Sequence, residues 1–134
     1  MIVKDAISKY GTEILDHLDR EVAVAVVTIA GCQGDVSILR VTQPAATTAV
    51  PVVGYPVVRG ENGGNTHSLH GDGPVFFDAA SERGGSLVLG RLTVPAGSEA
   101  VMAHPEHGFI AIAPGTYEIG RQREFAGEWR MVAD

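Results

Sequence analysis

From Glu21 to Ile29 nearly every position is apolar and half are valine or isoleucine, a composition that suits a strand far better than a helix. Gly31-Cys32-Gln33-Gly34-Asp35 reads as a turn, and Val36 to Val41 resumes an alternation of apolar and polar residues, so the pattern predicts a hairpin of 21–29 with 36–41. Ahead of this run the period is different. Ile7, Tyr10, Ile14 and Leu18 recur at steps of three and four, Asp5 is placed to cap the start, and acidic residues fill the opposite face. That periodicity predicts an amphipathic helix within residues 1–20, with Gly11 as its weak point, followed by a β-domain over 21–134. Such a helix docks either on its own domain or on a neighbouring copy.

Further along, Thr42 to Pro51 is rich in Pro, Ala and Thr and suits an extended loop. Val52 to Val58 reads as a strand interrupted by Gly54 and Pro56. Proline has no N–H for a ladder, so this strand belongs at a sheet edge or at a bulge. Gly60 to Gly73 is a polar, glycine-rich corner. Pro74–Phe77 and Ser86–Val94 are further strands, and 109–125 reads as a second hairpin turning at Pro114-Gly115. The expected fold is mainly β: a single-domain antiparallel β-barrel or sandwich, cupin-like or jelly-roll-like, with a short N-terminal helix.

Composition narrows the partners. Hydrophobic residues make up 45% of the 134-residue chain and charged ones 19%, enough apolar content for one packed core. A formal net charge of -6, with no dense basic run, repels phosphate backbones and argues against direct nucleic-acid binding. The lone Cys32 has no intramolecular disulfide partner, the N-terminus lacks the pattern of a signal peptide, and the run from Val22 to Ala30 is too short to span a bilayer. The expected setting is a bacterial or phage-infected host cytoplasm, or a particle assembled there, without membrane contact.

Candidate chemistry gathers in two corners. Ala103-His104-Pro105-Glu106-His107-Gly108 holds two imidazoles and a carboxylate at the mouth of a predicted hairpin, and the glycine-rich corner adds Glu61, His67 and His70. If both corners share one end of the β-domain, His67, His104 and His107, with Glu61, form a ligand set suited to a divalent transition metal. The alternative is that these histidines hydrogen-bond loop backbone at the surface, as exposed positions whose replacement costs little; His17 belongs on the solvent face of the helix. Catalytic readings are thin. The glycine-rich corner lacks the Lys-Ser/Thr ending of a phosphate loop, no Gly-x-Ser-x-Gly elbow is present, and Cys32 has histidines only far away in sequence. Arg121-Gln122-Arg123-Glu124 alternates as a solvated strand face with Arg121 and Arg123 on one side, and Trp129 and Met131 are placed to cover a sheet end.

Five segments occur in order: Gln33 to Val41; Gly60-Glu61 with Gly64 to Leu69; His104 to His107; Pro114 to Tyr117; and Arg121 to Phe125. Together, over roughly Cys32 to Asp134, they resemble a family of small uncharacterised bacterial and phage-associated proteins with the pattern G-D-V, G-E-x-T-G-H-x-H-x-L, H-x-E-H, P-x-G-x-Y and Q-R-E-Y. The chain departs from that pattern at Asn65-Thr66-His67, where the family shows His-x-His, so one potential metal ligand is replaced.

Two function classes follow. The first is a non-enzymatic β-rich binding or structural protein, in the phage-associated setting that the resemblance implies, which acts by self-association into a homo-oligomer or by contacts within a larger assembly. It needs no cofactor. The second is a small cupin-like metal-binding protein or metal-dependent enzyme using His67, His104 and His107.

Overall fold

The computed structural model describes residues 1–12, 14–15, 18–59, 66–80 and 87–121, and the backbone of 123–125 and 129–131. Among these residues one helix, α1 (Val3–Tyr10), precedes twelve strands: β1 (Ala25–Val27), β2 (Ala30–Gln33), β3 (Val36–Arg40), β4 (Tyr55–Val58), β5 (His67–Asp72), β6 (Phe76–Ala79), β7 (Val88–Val94), β8 (Glu99–His104), β9 (Gly108–Ile112), β10 (Gly115–Arg121), β11 (Arg123–Phe125) and β12 (Trp129–Met131). They form two five-stranded sheets, β1-β9-β8-β5-β4 (sheet one) and β2-β3-β10-β7-β6 (sheet two), with β11 and β12 as a separate pair. The fold is mainly β, and the sheets pack as a sandwich and do not close into a barrel. Among the described residues no helix is long and apolar enough to cross a membrane.

The main core lies between the sheets. Ile38, Leu92, Tyr117 and Ile119 from sheet two meet Leu69, Met102 and Ile112 from sheet one, all essentially without solvent exposure. Each such aliphatic side chain stabilises the fold by about 1.5–3 kcal/mol relative to an exposed one. Tyr117 is tolerated there because its hydroxyl donates to the Ala113 carbonyl at 2.7 Å and accepts from Arg40 at 3.2 Å.

Strand β8 is buried on both faces. Ala100 and Met102 point into the sandwich, whereas Val101 and Ala103 join Phe109 and Ala111 on the outer face of sheet one, beneath Val3, Ala6, Ile14 and Val24. The helix therefore docks on its own domain. It is shorter than the period suggested and stops at Gly11, whose left-handed conformation (φ 68°) closes the helix onto the Ile7 carbonyl. Ile14 and Leu18 still pack on the same patch, but from irregular chain. Asp5 is not the cap; that position is Ile2, whose N–H lies 3.4 Å from an Asp5 oxygen. His17 lies outside the described residues.

Both expected hairpins are rearranged. The run 21–29 supplies only β1, which pairs parallel with β9 in sheet one; β2 comes mostly from Gly31–Gln33, expected as part of the turn, and pairs antiparallel with β3 in sheet two, which leaves a tight turn at Gly34-Asp35. Likewise β9 and β10 lie in different sheets, and Ala113-Pro114 carries the chain between them. Crossing between sheets lets each short strand bury its apolar side against the opposite layer, which a flat two-stranded ribbon cannot do. The corner expected over 60–73 is also revised, since β5 begins at His67 and runs through the middle of sheet one; residues 60–65 lie outside the described residues. The placement of β4 agrees with its proline: it is an edge strand with a register shift between Pro56 and Val58.

Strand β5 turns His70 toward the N-terminal segment. Its Nε2 lies 2.8 Å from Ser68 Oγ and 3.3 Å from Thr12 Oγ1, and the ring sits 5.7 Å from that of Tyr10. Gly54 (φ 97°) fits against it because a Cβ there would stand 2.5 Å from the imidazole. Burial lowers the His70 pKa below its ordinary 6.5. The sign follows from linkage. As pH falls through 6.5 the unfolded chain takes up a proton that folded His70 resists, so His70 destabilises the fold increasingly until the pH drops below its folded value. Denaturant titrations of the wild type and His70→Gln at several pH values should show the stability gap between them shrinking as pH falls through this window; a gap independent of pH would contradict the placement of His70.

Candidate functional site

A polar cluster occupies one end of the sandwich, and both sheets build it. The tight turn after β2, with Gly34 at φ 58°, places Gln33 and Asp35 on the inner side of sheet two, where they are 4% and 2% exposed. Across the gap stand His67 at the start of β5 and His104 at the end of β8, both fully buried. His107 is exposed in the turn that leads to β9, and Arg121 closes the cluster from the end of β10.

Gln33 organises the interior. Its amide nitrogen donates to the carbonyls of Met102 (3.0 Å) and Gly108 (3.1 Å) in sheet one. That fixes the amide oxygen as an acceptor, and it lies 2.9 Å from His67 Nδ1, which must then carry a hydrogen. His67 Nε2 consequently faces Asp35, 3.8 Å from Oδ1. The other carboxylate oxygen of Asp35 takes two hydrogen bonds from Arg121, at 2.8 Å and 2.6 Å, while Oδ1 accepts none among the described residues. A buried carboxylate requires this kind of cationic partner.

His104 has a different role. Its Nδ1 accepts from the backbone N–H groups of Glu106 (3.0 Å) and His107 (3.2 Å), so the imidazole caps the Pro105-Glu106-His107 turn. The three rings lie close together, with centroid separations of 4.2 Å for His67–His104, 4.4 Å for His104–His107 and 6.0 Å for the nearly parallel His67–His107 pair. The structure thus brings together the three histidines singled out in the sequence. Glu61 lies outside the described residues, and His70 belongs to the separate contact with the N-terminal segment.

With Nδ1 accepting from two amides, the ring hydrogen of His104 sits on Nε2; a metal ion at Nε2 would require that hydrogen at Nδ1, against both donors. Among the described residues no group of three or more His, Cys, Asp or Glu side chains is arranged to hold a metal ion.

Three participants were misread or missed in the sequence. Gln33 and Asp35 looked like turn residues, and Arg121 like part of a solvated face; the side chains of Arg123, Glu124, Trp129 and Met131 lie outside the described residues. The available signal was the motif order itself. Gln33, Asp35, His67, His104, His107 and Arg121 all fall within the segments that carry the family resemblance, and the structure gathers them at one end. A family model described as "Domain of unknown function (DUF8820)" matches residues 32–122, from within β2 to just beyond β10. The chain belongs to this family. Comparisons with curated proteins and with solved structures gave no match.

Beside this end, a shallow groove runs between the edge strands β1 and β2, lined by Ala25, Cys32, Gln33, His107, Phe109 and Ile110. Gln33 and His107 of the cluster form part of its lining.

The expectation that both histidines of the turn are cheap to replace fails for His104, which is buried at a strand end and caps backbone. Replacing His104 with Ala should cost about 2–4 kcal/mol, through a cavity and two uncapped amides. His107→Ala should cost less than about 1 kcal/mol, as an exposed change. Chemical denaturation of the two variants side by side measures the difference.

Proposed function

We propose that this chain is a non-enzymatic binding module that acts through protein contacts, foremost with a second copy of itself. The observation that carries this reading is the edge where β1 and β2 end the two sheets. Val22, Val26, Ile29 and Leu39 are all at least half exposed on or beside this edge, and the groove of Cys32, His107, Phe109 and Ile110 opens between the two strands. Unpaired edge strands carrying apolar side chains are ready-made association surfaces, and two copies of one such edge can meet around a twofold axis. Support also comes from the polar end. The donors and acceptors of Gln33, Asp35 and His104 described above join sheet to sheet or strand to turn, a structural use of chemistry that a catalytic site would hold ready for substrate.

Sedimentation equilibrium at high micromolar concentration tests the reading. The wild type is expected to self-associate, and Ile29→Asp, which places a charge on the edge, should shift it toward monomer without changing the thermal unfolding midpoint by more than a few degrees. A wild type that stays strictly monomeric would overturn self-association. Stoichiometric zinc, iron or copper in protein purified without an affinity tag would favour instead the metal-binding reading through His67, His104 and His107.

A further inference from the structure

The N-terminal segment, residues 1–27, is held on the sandwich in the way that a separate peptide would be. Strand β1 adds to the free edge of β9 by the parallel pairings Ala25↔Ile110, Val26↔Ala111 and Val27↔Ile112, whereas every other strand pair among the described residues is antiparallel. Helix α1 and the chain after it lay Val3, Ala6, Ile14 and Val24 on the outer face of sheet one, an apolar cluster separate from the main core. These are the two standard modes of peptide capture, strand addition and a helix on an apolar face, combined in one segment.

The segment is also a unit in itself. Val3 and Lys4 donate to the carbonyls of Val22 and Arg20, and Val24 donates to that of Met1, so its two ends are tied by its own backbone. Its covalent tie to the rest of the chain is the short Thr28-Ile29 link before β2. The unit matched by the family model begins after it, at residue 32.

We infer that the outer face of β8 and β9, with the open β9 edge, is a docking surface for this segment, and that it takes the segment of a second copy as well as the chain's own. The contacts of residues 1–27 are the same in either arrangement, so exchange between copies requires that the Thr28-Ile29 link extend and give up the hydrogen bonds that Arg40 donates to the Thr28 and Ile29 carbonyls. This inference rests on the reading of the chain as a binding module and gives that module a defined ligand.

The test uses the full chain and a fluorescently labelled synthetic peptide of residues 1–27. In the wild type the chain's own segment occupies the surface and competes. Ala6→Asp buries a carboxylate in the outer cluster and displaces that segment, since Ala6 is fully buried there. Because apparent affinity scales with the fraction of surface left open, the Ala6→Asp chain should bind the wild-type peptide at least about tenfold more tightly than the wild-type chain does. A peptide carrying the same Ala6→Asp change should lose that binding.

An Ala6→Asp chain that keeps its β-sheet circular dichroism but shows no saturable binding up to about 100 μM peptide would overturn the inference. If the variant instead loses its sheet signal, recovery on adding the peptide supports the inference and failure to recover overturns it. Edge-mediated self-association can fail independently: a strictly monomeric wild type alongside peptide capture by Ala6→Asp would remove the edge contact and leave the docking surface standing.

Discussion

The reach of Gln33 across the sandwich is the interaction on which the polar end depends. A single amide from sheet two satisfies two backbone carbonyls of sheet one and accepts from His67 Nδ1, which holds the ring with Nε2 toward Asp35. In a low-dielectric interior such a chain is worth having only if it is nearly complete, because each buried polar group left unmade costs about 1–3 kcal/mol. The Arg121–Asp35 contact extends the network to β10, and the His104 cap extends it to the β8–β9 turn. Apolar packing alone tolerates small shifts of one sheet over the other; a directional network of this kind does not, and it fixes their relative register.

The same sheet serves two masters. Strand β8 alternates Ala100 and Met102 toward the sandwich with Val101 and Ala103 toward the N-terminal segment, so sheet one is apolar on both faces, unlike a sandwich sheet with one wetted face. A face of this kind must be covered. Here the cover is the chain's own α1 and the residues after it, held further by contacts of Tyr10 and Thr12 with His70 and by an ion pair of Lys9 with Asp72. The ion pair is solvent-exposed on both sides and adds little; the apolar contacts supply the docking free energy.

Several features were legible in the sequence because they depend on local physics. Valine-rich alternation marked strands, Pro56 marked a strand at an edge or bulge, the three- and four-residue period marked an N-terminal helix, and the two polar corners marked His67, His104 and His107, which lie together. Periods of two and of 3.6 and the backbone limits of Gly and Pro act over a few residues, so they survive in one dimension.

The choice of partner strands did not survive, because it is decided by burial over the whole fold. Nothing local distinguishes β1 pairing with β9 from β1 pairing with β3, yet sending β1 to one sheet and the following β2 to the other covers the edges of β9 and β3 and leaves the groove beside His107 between them. The roles of the site residues were likewise undetermined. The sequence by itself established that imidazoles, a Gly-Asp turn and an arginine occur in ordered motifs. Only the tertiary structure decided that His104 caps a turn, that Asp35 lies buried against Arg121, and that the histidines form part of an internal network, since hydrogen-bond partners separated by 86 residues are set by the packing of the sheets and not by spacing along the chain.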